Sequence, residues 1–256
     1  MACVKPTRRR VFVALLISAF MATSLLFAAG RYGYWQAYTD VSIFGNLSSR
    51  SDTGTEYAML EKLAVILPVN KNTDMQFYQN TWLRNYLYPV CDWPGPGCKI
   101  VCNRTSTYRS LHLKTKCFAR AIKRFEDKEL FIKLDDDALV DIDYVIGLIK
   151  KYQGYYKPVY ISDHERTKPR NFPDALNGVM YGNGKFYMFN RKLAQCLKTD
   201  IKYRDSPNED SVFGGMVSHG CGERNVEYVQ EDDRWIWHKE YTSKNKNIDL
   251  AFIKNH

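Results

Sequence analysis

Charge is missing from one long stretch of this 256-residue chain: residues 11–30 (VFVALLISAFMATSLLFAAG) contain no Asp, Glu, Lys or Arg. No face of that run is polar, which argues against a helix merely buried in the core. Its length matches the about 20 apolar residues a helix needs to cross a bilayer. Internal repeats are lacking. So is any nucleic-acid-binding motif, which removes the obvious use for a net charge of +9. Histidine is sparse, five residues in all, so a site that needs an imidazole has few to choose from. With 45% hydrophobic residues, the remainder is enough to bury one substantial core.

Lys5, Arg8, Arg9 and Arg10 precede the apolar run, and only Arg31 follows it closely. Positive charge favours the cytosolic side, which predicts a cytosolic tail at 1–10 and a transmembrane signal anchor at 11–30. A stem at 31–61 and a lumenal domain at 62–256 follow. A cleaved signal peptide is the alternative, since Ala28, Ala29 and Gly30 offer a small-residue cleavage site. The run exceeds the roughly 7–15 residues of a signal core, which favours the anchor.

Cysteine usage agrees with a lumenal domain. Cys3 precedes the span, and Cys91, Cys98, Cys102, Cys117, Cys196 and Cys221 follow it. An even set in an oxidising compartment predicts up to three disulfides, in any of about 15 pairings. Asn46-Leu-Ser48 and Asn103-Arg-Thr105 are acceptor sequons for N-glycosylation. The expected location is the Golgi membrane, with the endoplasmic reticulum as the alternative. Beyond the tail, 33 basic residues face 28 acidic ones, a solvated surface that also suits an anionic diphosphate or an acidic glycan.

The hydrophobic pattern predicts a strand at 63–69 and a helix at 74–87 capped by Thr73 or Asp74. A loop at 91–98, rich in Pro and Gly, precedes a strand at 99–102. A helix at 110–125 carries Leu111, Phe118, Ile122 and Phe125 on one stripe. Strands follow at 129–134, 158–162 and 185–189, with helices at 141–152 and 191–197. Ser206-Pro-Asn-Glu209 reads as a capping box opening another helix. Strands alternating with helices predict an α/β fold with parallel pairs in its sheet.

The most specific local signal is Phe131-Ile-Lys-Leu-Asp-Asp-Asp137, a buried strand running straight into three carboxylates. Sheets of this class place ligands at that edge. Adjacent like charges repel, and a hard divalent ion ligated by oxygen relieves them. A solvated acidic turn is the plainer alternative.

Leu111-His-Leu-Lys-Thr-Lys-Cys-Phe-Ala-Arg120 followed by Phe131-Ile-Lys-Leu-Asp-Asp-Asp-Ala-Leu-Val140 resembles the fringe/β-1,3-galactosyltransferase family (glycosyltransferase family 31). That family pairs an L-x-L-K-T helix with a K-x-DDD-x-x-V strand end. Gln79-Asn-Thr-Trp82, Tyr181-Gly-Asn-Gly-Lys-Phe-Tyr-Met-Phe-Asn190 and Glu209-Asp-Ser-Val-Phe-Gly-Gly215 resemble three further family elements, in the same order. The likeness runs from about Leu63 to Val217. It implies a GT-A-type nucleotide-sugar-binding fold, a single mixed, largely parallel sheet flanked by helices. It also implies a divalent cation, commonly Mn2+, a UDP-sugar donor and inversion at the sugar carbon. A hexose or N-acetylhexosamine would pass to a glycan hydroxyl in β-1,3 linkage.

By the same resemblance Asp137 would ligate the metal, with help from Asp135 and from His238; His219 is the rival imidazole. Asp135 and Asp136 would serve the donor, and Asp210 would take the proton of the acceptor hydroxyl. Gly182 and Gly184 would let backbone approach the substrates, or only form a turn. Glu209 is accounted for by the capping box. Trp235 and Trp237 are expected to stack on a sugar or to pack in the core. Met75 and Gln79 depart from the family, which usually has arginines before Thr-Trp, and Pro68-Val-Asn70 departs from its usual small residues.

The expected partners are a UDP-sugar, a glycan or glycoprotein acceptor, the membrane and a second copy of the chain in a homodimer; nucleic acid is excluded. Two other functions fit parts of the pattern. Asp135-x-Asp137 after a strand is similar to a haloacid-dehalogenase-type phosphatase motif, and a degenerate transferase domain would serve as a lumenal binding or chaperone subunit.

Overall fold

Leu63–Pro68 (LAVILP) forms β1, buried along nearly its whole length. A continuous apolar run is what a strand covered on both faces requires. β1 lies between β2 (Leu87–Cys91) and β4 (Leu130–Leu134) and is parallel to both. β3 (Ile100–Val101) adds to the far side of β2. Beyond β4 come β7 (Met180–Asn190), antiparallel to it, then β6 (Val159–Arg166) and β8 (Glu227–Gln230). The seven-stranded order is β3-β2-β1-β4-β7-β6-β8. A separate ribbon pairs β5 (Ala138–Val140) with β9 (Ile236–His238), antiparallel.

This computed structural model describes residues 58–79, 81–169, 174–203 and 208–238. The expected membrane span and the stem up to residue 57 lie outside them. Among the described residues no helix is long and apolar enough to cross a membrane. Leu60 is already buried, and the Lys62 carbonyl accepts from the Glu129 and Leu130 amides. Packing therefore starts just before residue 62.

The helices are α1 (Met75–Gln79), α2 (Leu111–Ala121), α3 (Ile142–Tyr152), α4 (Arg191–Cys196) and α5 (Glu209–Val217). α5 packs on β7 and beside α2. Its Phe213 stacks on Tyr187 at 4.7 Å and lies 5.2 Å from Phe189 and 6.0 Å from Phe118. That aromatic layer fixes the start of α5 against the ends of β4 and β7. α3 is capped by Asp141, whose carboxylate accepts from the Tyr144 amide.

Three expectations need correction. The helix predicted at 74–87 stops at Gln79. Thr81 then caps a short 3-10 turn, Trp82–Asn85, by accepting from Leu83, and β2 follows. Leu87–Cys91 satisfies its backbone on β1, and Pro89 within it cannot continue a helix. Second, the cap of α5 is Asn208, which accepts from the Asp210 amide at 3.0 Å. Glu209 is therefore the first residue of the helix and cannot close a capping box; Ser206 lies outside the described residues. Third, β6 and β7 run beyond 158–162 and 185–189: β6 continues through the polar residues 163–166, and β7 begins at Met180 in a stretch whose glycines, Gly182 and Gly184, hide the strand pattern. Asp74, the second of the two expected caps, accepts from the Phe77 amide. The six lumenal cysteines pair as Cys91–Cys98, Cys102–Cys117 and Cys196–Cys221.

Candidate active site

β4 ends at Leu134, and the next three residues form an acidic turn clamped at its backbone. The Tyr78 hydroxyl donates to the carbonyls of Asp135 (3.1 Å) and Ala138 (2.9 Å), and the Trp82 indole donates to Val140. The three carboxylates then part company. Asp136 accepts from Asn70 Nδ2 (2.7 Å) and Thr73 Oγ1 (2.5 Å), both in the loop after β1. Asp135 and Asp137 turn toward His238, which the β5–β9 register places opposite Ala138. His238 Nε2 lies 3.1 Å from Asp137 Oδ1 and 3.8 Å from Asp135 Oδ2. One ligand atom from each of Asp135, Asp137 and His238 falls within 4.8 Å of the others.

Burial disfavours a charged His238, but the carboxylates of Asp135 and Asp137 outweigh it and push its pKa up to about 9. His219, the rival imidazole, donates from Nε2 to the Ala175 carbonyl, 2.7 Å away, and is no part of this cluster. Trp237 is buried in the core, while Trp235 stacks on Tyr144 and donates to Asp232.

Behind the turn sits a fully buried lysine. Lys133 lies in the middle of apolar β4, and an unpaired ammonium there would be prohibitively costly. Its Nζ reaches Asp135 Oδ1 (2.5 Å), the Gly184 carbonyl (2.8 Å) and Glu209 Oε1 (2.9 Å), with Asp210 Oδ1 at 4.0 Å. Burial opposes its charge, and Asp135, Glu209 and Asp210 together hold it ionised. One cation therefore joins the acidic turn to the start of α5.

Two carboxylates beside this lysine are driven in opposite directions. Asp135 is raised by burial, but Lys133 and His238 bring it below the usual carboxylate range. Asp210 is pushed up to about 8, first by burial, then by the charges of Glu209 and Asp135; Lys133 and the Gly184 amide only partly oppose this. Asp210 Oδ1 is buried and has no hydrogen-bond partner among the described residues. A carboxylate with a free oxygen and a pKa near neutrality is suited to accept a proton from a bound group.

Gly182 and Gly184 lie inside β7 and form no turn. A Cβ on Gly184 would stand 2.7 and 2.8 Å from the two Asp210 oxygens, so only glycine lets that carboxylate rest against the strand. Gly182 faces Ser162 and Tyr160, and its amide donates to the Tyr160 hydroxyl. That glycine admits core side chains.

The structure thus brings together Asp135, Asp137 and His238, and places Asp210 across Lys133 from them, while Asp136 belongs to a different contact. Sequence reasoning passed over Lys133, although a lysine inside a buried apolar strand is itself a signal. It gave Asn70, Thr73 and Lys114 no role in the site, although Lys114 stands in the Leu-Lys-Thr motif, and it passed over Tyr78, for which there was no signal. Lys114, in the Leu-Lys-Thr stretch of α2, is buried; it donates to the Val69 carbonyl at 2.6 Å and pairs with Asp92 at 3.0 Å. It thereby fixes the loop that carries Asn70.

Fold and site together belong to a class of transferase, the glycosyltransferases. A family model described as Galactosyltransferase matches residues 99–227, about half of the chain, from the approach to β3 to the first residue of β8. The chain belongs to this galactosyltransferase family, the β-1,3-galactosyltransferase-like family 31. A comparison with curated proteins found no match. The matched stretch contains the acidic turn, Lys133, Gly184 and Asp210, but ends before His238.

Proposed function

We propose that the chain is a metal-dependent, inverting glycosyltransferase that moves a hexose or N-acetylhexosamine from a UDP-sugar to a glycan hydroxyl in β-1,3 linkage. We place it in the Golgi lumen, held by an N-terminal anchor. The observation that carries the reading is the pairing of two groups across one buried lysine: the Asp135–Asp137–His238 cluster and the Asp210 carboxylate, whose buried Oδ1 accepts no hydrogen bond among the described residues. Family 31 enzymes use UDP-sugar donors, which agrees with a cluster built to face a diphosphate.

Two carboxylate oxygens and one imidazole nitrogen suit a divalent ion of the manganese type, and 3.1 Å between Asp137 Oδ1 and His238 Nε2 is close enough for both to hold one ion. Asp135, Asp137 and His238 would hold that ion, which when bound would supply positive charge against the diphosphate and the departing nucleotide. Asp210 accepts the proton of the acceptor hydroxyl as its oxygen bonds to the anomeric carbon. The bond from that carbon to the diphosphate oxygen breaks, and UDP leaves with the electron pair. Lys133 holds Asp135 and Glu209 in place while its charge balances the carboxylates around it. The phosphatase alternative gains no support, because the family match is to glycosyltransferases and Asp135 is bound to Lys133.

The test is to screen the purified chain with Mn2+ against a panel of UDP-sugars and glycan acceptors. Asp210→Asn should retain UDP–Mn2+ binding and lose transfer by about 10²–10⁴-fold, the usual worth of a general base. Binding of UDP and Mn2+ with no turnover of any donor by the unaltered chain would instead establish a degenerate binding subunit.

A further inference from the structure

The loop between β3 and α2 carries an acceptor sequon, Asn103-Arg-Thr105, beside an exposed tryptophan, and neither takes part in the site above. The two segments run side by side: Cys102 donates to the Cys91 carbonyl at 2.9 Å, and Arg104 to the Asp92 carbonyl at 3.0 Å. Trp93 Nε1 then reaches Thr105 Oγ1 at 3.4 Å, so the indole lies along the sequon. Asn103 is exposed and adopts φ 53°, a left-handed conformation that asparagine tolerates better than most residues. The Cys91–Cys98 and Cys102–Cys117 disulfides bracket the loop and fix its shape.

Trp93 is 56% exposed, one of two large hydrophobic side chains so displayed among the described residues. An indole left in water is unfavourable by its apolar area, and its flat face is a surface on which a sugar ring can lie. With all six cysteines of the folded part paired, the chain carries the mark of an oxidising compartment, where such sequons are used.

We infer that Asn103 is an N-glycosylation site and that the first sugars of its glycan cover Trp93. This rests on the lumenal placement proposed above. In the modification, Asn103 Nδ2 bonds to the anomeric carbon of an oligosaccharide carried on a lipid diphosphate. The sugar–phosphate bond breaks, the lipid diphosphate leaves with its electrons, and the amide gives up one proton. β3 is the edge strand, three strand spacings from β4, or roughly 14 Å across the sheet. The attachment point therefore lies to one side of the acidic turn.

The full chain should be produced in secretory-competent eukaryotic cells and its peptides analysed by mass spectrometry after enzymatic deglycosylation in heavy-oxygen water. Asn103 should be recovered as labelled aspartate; Asn103→Gln and Thr105→Ala should abolish the label, while Thr105→Ser should keep it. Acrylamide should quench the Trp93 component of fluorescence, isolated by difference from Trp93→Phe, at least twofold more after deglycosylation. A chain labelled at Asn46 but not Asn103 would overturn the inference and leave the lumenal reading intact. A chain with neither sequon labelled and its cysteines reduced would overturn both. A labelled Asn103 with unchanged quenching would overturn the cover on Trp93.

Discussion

In the role proposed above Asp210 has to be ionised to accept a proton, so a pKa raised to about 8 would set the pH dependence of transfer. Transfer under kcat/KM conditions should rise with pH through about 8 and level off above it. The neighbours should move that limb in opposite directions. Glu209→Gln removes a negative charge that raises Asp210 and should shift the limb to lower pH. Lys133→Met removes the cation that restrains it and should shift the limb higher, at a large cost in stability, because three carboxylates lose their shared partner. A limb unmoved by Glu209→Gln would detach Asp210 from the rate. Asp210 carries a linked stability effect: its folded pKa lies above the ordinary 3.8, so its contribution is complete below that value and fades as pH rises through about 8.

His238 follows the same rule with a different readout. The metal-free fold gains from its ion pairs below about pH 6.5 and loses that gain as pH rises through about 9. An entering metal must displace the proton, so Mn2+ affinity should increase about tenfold per pH unit between 7 and 8. Titration calorimetry in buffers of different ionisation heat should detect one proton released. His238→Gln should weaken binding and flatten its pH dependence; an unchanged slope would exclude the imidazole from the cluster.

Among the elements, those read correctly share one property: their burial is written as an uninterrupted period. β1, β4, α2 and α3 declare themselves through apolar runs or stripes. β2 does not, because Leu87–Cys91 continues the apolar spacing of the preceding helix and only its pairing with β1 separates the two. The acidic turn was legible because three carboxylates after a buried strand demand a reason, and the resemblance named Asp210 and His238. The hub at Lys133 was not legible, since its partners come from three separate segments that only the sheet brings together. Glu209 was misread for a local reason: the capping-box spacing was present, but the cap is Asn208 and the helix starts two residues later than that spacing implies.

β7 allows a test at this scale. Gly184→Ala sets a methyl against Asp210 and should reduce kcat by more than tenfold with UDP–Mn2+ affinity nearly unchanged. Gly182→Ala places its methyl 2.5 Å from Ser162 Cβ and 2.8 Å from the Tyr160 hydroxyl, inside the core. It should destabilise by about 1–3 kcal/mol, read as a fall in Tm, and affect turnover mainly through lost fold. Equal behaviour of the two variants would mean that Gly184 serves packing alone.

For the molecule as a whole, the anchored topology is a proposal drawn from residues 11–30. Membranes washed with alkaline carbonate should retain the full chain, and proteolysis of sealed vesicles should spare the domain after residue 62. Release of a soluble form beginning near Arg31 would instead mark the run as a cleaved leader.

The β5–β9 ribbon gives the site a temporal order. Asp135 and Asp137 leave the ribosome about a hundred residues before His238, and all seven strands of the main sheet are made by Gln230. A nascent chain that ends between Gln230 and Ile236 holds every strand of the main sheet and all six cysteines of the folded part, yet lacks the imidazole. On the proposed reading the cluster is completed only when β9 pairs with β5 and sets His238 opposite Ala138, after every strand of the main sheet has been made.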